Sequence, residues 1–250
     1  MTSWPEIAAP ILVLDHTFVA PAWNLALDEA LLEGVDAGAL PETLRFWESP
    51  VPFVVLGSAQ AIEDEVDLLH CGVDGVPITR RCSAGGCVLQ GPGCLNFALA
   101  LRYDTLPGSR DLHRSYALIL DTLAAALSTQ TGAVVRAGVS DLAVEGRKVS
   151  GNAQRRKRNA FLHHGTLLYA PDIQAVTRYI REPEDRPDYR GDRSHAAFLG
   201  RLTQSPVELR GIVSRAFRAT GKRDITDWET NLAEQLVREK YSRNAWIRRR

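Results

Sequence analysis

The stretch from Pro77 to Phe97, PITRRCSAGGCVLQGPGCLNF, narrows most sharply what this chain can fold into. Arg80 and Arg81 sit side by side and end an apolar run, Val76 to Thr79, that reads as a strand. A Ser-Ala-Gly-Gly turn follows at residues 83–86. Cys87-Val88-Leu89 makes a short apolar step, and a second glycine turn, Gln90-Gly91-Pro92-Gly93, leads into Leu95-Asn96-Phe97-Ala98-Leu99. Residues this small let backbone N–H groups approach a ligand closely, because no Cβ stands in the way. Adjacent arginines offer forked donors for carboxylate or phosphate oxygens. The stretch therefore reads as strands framing a groove for an anionic, partly apolar ligand. No Gly-Lys-Ser/Thr follows, which excludes a Walker phosphate loop. The closing glycine of a dinucleotide fingerprint would fall on Asn96, which excludes that as well.

The rest of the chain alternates strands and helices. Ile11–Leu14, Leu44–Trp47, Phe53–Gly57 and Val76–Arg81 read as strands, with a helix over 21–33 and a short acidic helix over 63–70. Leu95–Leu101 is apolar at nearly every position and belongs at the centre of a sheet. Residues 112–130 make the longest helix, and 133–136, 141–144, 147–150 and 160–169 read as further strands. Residues 152–159 are polar and rich in arginine. A short helix covers 172–179. Arg181–Ser194, REPEDRPDYRGDRS, is charged, bears prolines and has almost no apolar side chains; it reads first as a mobile, solvated connector, and second as a loop that covers a site or meets a partner. Helices over 206–220 and 226–241 each open on a Ser/Thr-x-x-Glu cue, Ser205 with Glu208 and Thr226 with Glu229. This order predicts an α/β (α+β) fold on a mixed sheet, with all of 1–250 as one catalytic unit.

Composition removes several function classes. Lys plus Arg and Asp plus Glu are 30 each, so no global field draws the chain to nucleic acid. The cysteines, at 71, 82, 87 and 94, form no Cys-x-x-Cys pair, which argues against a zinc knuckle and a disulfide framework and for a reducing cytoplasm. The N-terminus, Met-Thr-Ser-Trp-Pro-Glu, lacks the basic and apolar regions of a leader, and no span reaches membrane length. Only four of the 30 basic residues are lysines, which leaves 26 arginines. A lysine placed between Gly-Arg and Val-Ser-Gly therefore stands out: Lys148.

Lys148 lies in a second informative stretch, Ser140 to Leu168. Four pieces in fixed order carry the signal: Arg80-Arg81-x-Ser83-x-Gly85-Gly86, Ser140-Asp141-Leu142, Gly146-Arg147-Lys148-Val149-Ser150-Gly151-Asn152-Ala153-Gln154, and His163-His164-Gly165-Thr166-Leu167-Leu168. Together they resemble the biotin/lipoate protein ligase and octanoyltransferase superfamily, nearest its lipoate-protein ligases. Weaker matches at Trp23–Ala26, Val55–Gln60 and Leu236–Tyr241 extend the resemblance over nearly the whole chain.

The resemblance implies an antiparallel-rich central sheet flanked by helices, related to class II aminoacyl-tRNA synthetase cores. It implies activation of lipoate or octanoate by ATP and Mg²⁺ to an acyl-adenylate, then transfer to a lysine of a small lipoyl-carrier domain. Lys148 is then the catalytic cation. Arg81 holds the α-phosphate or the acyl carboxylate, and Ser83, Gly85 and Gly86 line the acyl channel. Val88, Leu89 and Gln90 carry adenine. Asp141 anchors the Lys148 amine or a magnesium ion. Ser150, Gly151, Asn152 and His164 complete the acyl-AMP site, with His163 structural. The chain departs from the ligases at Ala84 and Cys87, where they carry glycine and alanine, and at Gln90–Cys94, where they carry His-Asp-x-Gly-Asn. Its Gly-Pro-Gly there is closer to the octanoyltransferases, which hold the acyl group on a cysteine thiolate. Neither family position for that cysteine, in 136–139 or 159–162, holds one, so a relocated nucleophile would be Cys87 or Cys82. The chain ends at Arg250, before any C-terminal accessory domain such ligases carry, which implies self-sufficiency, a separate accessory partner, or transfer alone. A non-catalytic module that docks a lipoyl carrier is the remaining alternative.

Overall fold

The computed structural model describes residues 4–5 and 10–249. Residues 1–3 and 6–9, which hold most of the N-terminal leader reading, and Arg250, the end of the basic tail, lie outside the described residues. The elements up to the first glycine turn are β1 (Ile11–Asp15), α1 (Pro21–Asp36), β2 (Thr43–Trp47), β3 (Phe53–Leu56), α2 (Ile62–Glu65), α3 (Leu68–Asp74) and β4 (Ile78–Arg80). Then come β5 (Val88–Gln90), β6 (Cys94–Arg102), α4 (Leu112–Thr131), β7 (Val134–Ala137), β8 (Asp141–Val144), β9 (Arg147–Arg156) and β10 (Ala160–Leu168). The last third holds α5 (Ile173–Tyr179), α6 (His195–Phe198), α7 (Pro206–Ala216), β11 (Ala219–Lys222), α8 (Asp227–Leu236), a π-helical turn (Val237–Tyr241) and α9 (Asn244–Ile247).

Two sheets result. The larger has eight strands in the order β11-β1-β2-β6-β10-β9-β8-β7, and the smaller has three, β4-β3-β5. β1 pairs in parallel with β2 and β11, while β2–β6, β6–β10, β10–β9, β9–β8 and β8–β7 are antiparallel. The sheet is thus mixed and antiparallel-rich, as expected, with the apolar β6 at its centre.

The alternation of β6 explains the layering. Leu95, Phe97, Leu99 and Leu101 point to a core shared with α4 and α7, while Ala98 and Ala100 point to a core shared with α1. Small residues on that side, with Ala26 and Ala30 on the helix, let α1 lie close to the strands. α8 covers α1 in turn, so α1 is buried nearly all round. Two ion pairs tie its rim: Lys157 Nζ to Glu33 at 2.6 Å and Lys240 Nζ to Glu29 at 2.7 Å. The small sheet has its own core with α2, α3 and α5, built on Val54, Leu56, Ile62 and Val66.

Three expectations need correction. The strand read over 147–150 is longer: β9 continues through the polar run to Arg156, paired with β10. Its polar side chains find partners there, Gln154 on His163 at 3.1 Å and Arg156 on Gln154 at 2.8 Å. The acidic helix over 63–70 is two helices, because Val66 is extended and Asp67 caps a new start by accepting from His70 N at 2.9 Å. The helix over 206–220 ends at Ala216. Arg218 turns to a left-handed φ of 51°, and the chain leaves as β11 to extend the sheet edge beside β1. Both capping boxes form as read, at Ser205/Glu208 and Thr226/Glu229. Among the described residues no helix is long and apolar enough to cross a membrane.

Candidate active site

The site lies on the α1 face of the large sheet, where the small sheet closes over it. The parity of β10 decides which histidine reaches it. His163 falls on the α4 side, fully buried between Phe97 and Tyr116. Burial, with a lesser push from His164, drops its pKa to about 3. It is a neutral core residue. His164, one position on, faces α1 and the site.

There His164 Nε2 lies 2.6 Å from Ser83 Oγ, and its Nδ1 lies 3.4 Å from Asp28 Oδ2. Asp28 is fixed by Arg45, whose Nη1 donates to Oδ1 at 2.6 Å with both side chains buried. The order serine–histidine–carboxylate resembles a nucleophilic relay. Ser83 is only 1% exposed, however, and Arg81 Nε donates to its oxygen at 3.1 Å. It borders neither of the cavities described below. The relay therefore positions the glycine turn rather than attacking substrate.

Arg81 holds that turn from inside. Its remaining donors go to Gly86 O at 3.0 Å and Ala84 O at 2.8 Å. It is the arginine of the pair that faces the site, as expected, but its guanidinium is committed to the loop's own carbonyls. Arg80 points away and is fully buried. Gly57 is needed beneath: a Cβ there would lie 1.9 Å from Gly85 O.

Lys148 enters from β9. Residues three apart on a regular strand face opposite ways. Lys148 and Gly151 nevertheless share a face, because the β8–β9 register slips between Leu142 and Ala143. The extra residue forms a bulge in which Val149 and Ser150 both turn to the far side and are fully buried. The bulge thus aims Lys148 at the site. Its Nζ lies 2.9 Å from Asp141 Oδ1, and Tyr189 OH donates to Oδ2 at 2.7 Å. Tyr189 belongs to the charged 181–194 loop, which therefore does fold over the site. Burial, aided by the nearby Asp141 charge, raises the Tyr189 pKa and keeps it a donor. With both oxygens engaged, Asp141 acts as the anchor of Lys148. Among the described residues no cluster of three or more His, Cys, Asp or Glu offers a metal site.

Two connected cavities meet at Lys148. The inner chamber holds about 120 Å³, with Leu25, Trp47, Val55 and Phe97 among its walls. The outer cleft holds about 870 Å³ and runs between the sheets under the 181–194 loop. Arg81, Asn152 and His164 border the chamber and Leu89 the cleft, while Gly85, Gly86, Val88, Gln90, Asp141, Lys148 and Gly151 border both. Ser83 and Ser150 stand behind the wall. Gln90 is locked into a buried triangle with Asn96 and Thr166 at 2.7–2.9 Å, so it shapes the wall between the cavities. The Asn152 amide donates to Ser140 O at 2.9 Å and Ser150 Oγ at 3.1 Å, and its buried Oδ1 has no hydrogen-bond partner.

Burial disfavours the thiolate at all four cysteines, although Cys87 is only half-buried. Burial pushes the Cys82 and Cys94 thiols up to about 12 and raises Cys71 and Cys87 as well. Cys82 is buried beside Tyr241; Cys87 alone of the two candidates borders the cavities.

Asp28, Arg45 and Tyr189 went unmarked in the sequence reading. An acidic residue on the apolar face of a helix and an arginine between Leu44 and Phe46 in a strand were the available signals for the first two. Nothing in the charged loop singles out Tyr189.

Comparison with known proteins gives the chain its family. Residues 20–219 match the lipoyl protein ligase A/B catalytic domain. Octanoyltransferase LipM of Symbiobacterium thermophilum is 30% identical, over 91% of this chain and 94% of its own. A bi-partite lipoate protein ligase from Thermoplasma acidophilum, solved in work that included its E2 lipoyl domain, shares the fold with a TM-score of 0.82 at 22% identity, covering 95% of this chain and 96% of that one. A lipoate-protein ligase A solved with bound ATP does so with a TM-score of 0.83 at 23% identity, covering 96% and 98%. The chain belongs to the lipoyl protein ligase A/B catalytic domain family and is an enzyme of its ligase–transferase group.

Proposed function

We propose that this chain is a lipoate-protein ligase: it activates lipoate or octanoate with ATP and passes the acyl group to a lysine of a small lipoyl-carrier domain. The observation that carries this reading is the Lys148–Asp141 pair at the junction of a narrow, partly apolar chamber and a cleft roomy enough for a nucleotide. The acid's carboxylate oxygen attacks the α-phosphorus and pyrophosphate leaves. The acceptor amine then attacks the acyl carbonyl, AMP leaves, and the amine gives up its protons. Negative charge grows on an oxygen in both steps, and a fixed ammonium beside it lowers both barriers. Mg²⁺ would enter with the phosphates, since both Asp141 oxygens are engaged. The ATP and the lipoyl domain associated with the two ligases of similar fold support the same substrates and partner here.

The test is pyrophosphate release from ATP with lipoate or octanoate and no carrier. Acid-dependent release, lost in Lys148→Ala at unchanged folding, is the expected result. Its absence in the wild type, with no added partner, would remove the self-sufficient ligase reading.

A second reading is favoured by the name of the Symbiobacterium relative: acyl transfer between carriers through a cysteine, without ATP. The raised thiol pKa values weigh against it. An acyl thioester on Cys87 or Cys82, seen by mass spectrometry after mixing with octanoyl-carrier, would establish it instead.

A further inference from the structure

The buried Arg80 has no role in the site described so far, yet it is among the most heavily bonded side chains of the molecule. Its Nη1 donates to Gly57 O at 2.7 Å and Gln60 O at 2.6 Å. Its Nε and Nη2 both reach Ile247 O, at 3.0 and 2.8 Å. The C-terminal segment returns the contact. Trp246 Nε1 donates to Arg80 O at 2.8 Å, the carbonyl just before Arg81. Arg249 donates to Ser58 O at 2.9 Å and lies 3.7 Å over the Trp246 ring, with Lys240 on the same ring at 4.3 Å. The 57–60 turn held between these arginines is what the glycine turn rests on: Ser58 N donates to Ser83 O at 2.8 Å, and Gly57 packs under Gly85 O. Ala84, Gly85 and Gly86 are themselves exposed, with Arg81 holding two of their carbonyls from inside. The C-terminal half of this brace, 244–249, lies beyond residue 219, where the match to the family model ends.

We propose that segment 244–249 is a positioning element for substrate binding, in which Trp246 and Arg249 act through Arg80 and the 57–60 turn to hold residues 83–86 against the inner chamber. The proposal rests on the reading of that chamber as the acyl site. It predicts that loosening the brace weakens acid binding while leaving the fold and Lys148 in place.

The test compares the full chain with Trp246→Ala, Trp246→Phe and Arg249→Ala in two independent measurements. In the first, amide hydrogen exchange is followed at Ser58, Gln60 and Arg81, whose bonded N–H groups tie the glycine turn to the 57–60 turn, and along β9 and β10, with no substrate present. In Trp246→Ala, exchange at Ser58, Gln60 and Arg81 should quicken about tenfold, the effect of losing one buried hydrogen bond, with β9 and β10 unchanged. Trp246→Phe, which keeps the ring but not the N–H, should fall between. Arg249→Ala, at an exposed residue whose loss does not threaten folding, should shift the same amides less. In the second, KM for lipoate or octanoate in pyrophosphate release should rise about tenfold at kcat within about twofold. Unchanged exchange at Ser58, Gln60 and Arg81 in both alanine variants would overturn the proposal. So would quickening spread evenly over the chain, or a fall in kcat at constant KM. If the wild type releases no pyrophosphate, the ligase reading fails, and the exchange experiment still decides the brace.

Discussion

Gly151 shows how much one absent methyl group determines. A Cβ there would lie 2.8 Å from Lys148 Cε and 2.9 Å from Nζ, so alanine must push the ammonium off its line to Asp141. The backbone at 151 is not in the left-handed region, so alanine adds no strain of its own. Gly151→Ala is therefore expected to lower kcat about a hundredfold, the scale set by displacing a catalytic group by roughly an ångström, with little change in melting temperature. Parallel kinetics and thermal unfolding would check it. His163 yields a prediction of the opposite kind, stability without activity. Its folded pKa of about 3 lies below the ordinary 6.5, so the unfolded chain binds this proton first as pH falls. Its contribution is complete above pH 6.5 and is lost toward pH 3, with a slope of at most about 1.4 kcal/mol per pH unit. Urea unfolding from pH 7 to 4 should show a shallower acid decline in His163→Asn than in the wild type, although that variant starts less stable.

At the scale of elements, the charged 181–194 loop is bonded down rather than free. Arg190 pairs with Glu182 at 2.5 Å, Arg193 donates to Gly146 O at 2.8 Å, and Tyr189 reaches Asp141. Tyr189→Phe removes only the hydroxyl and should lower kcat/KM about tenfold by freeing one Asp141 oxygen, a loss in the range of a hydrogen bond to a charged group. Steady-state kinetics would show it. Several elements were legible in the sequence for physical reasons. β6 is apolar on both sides because it is covered on both sides. The two capping boxes announced α7 and α8. The histidine pair on one strand had to split between faces. What stayed hidden is mostly non-local. A separation of 136 positions between Asp28 and His164 leaves no local pattern, and a one-residue bulge at Val149 looks like any other strand residue. Arg81 was read as a free donor because its partners, Ala84 O and Gly86 O, depend on how the loop coils. β11 was missed because four residues of helix-compatible sequence gain their pairing only from β1.

At the scale of the whole molecule, the site is the seam between two sheets; Phe53 and Val55 of the small sheet pack into the core around α1, and a ligand spanning both cavities adds a further tie between the sheets. Lipoate with Mg-ATP at a hundred times its dissociation constant should stabilise the fold by about 2.7 kcal/mol. For a chain of this size that corresponds to a melting temperature about 5–10 °C higher. A thermal-shift titration would check it, with either ligand alone giving less. The rarity of lysine then takes on a meaning of its own. An enzyme that releases an activated acyl group toward an amine risks labelling itself. Guanidinium groups stay protonated and do not compete. Lys148, Lys157 and Lys240 are each paired to a carboxylate, at 2.9, 2.6 and 2.7 Å. Lys222, exposed on the outer edge of β11, is the one ammonium among the four without such a pair in the described residues. Self-acylation during turnover should therefore be sparse and, by peptide mapping, should fall on Lys222.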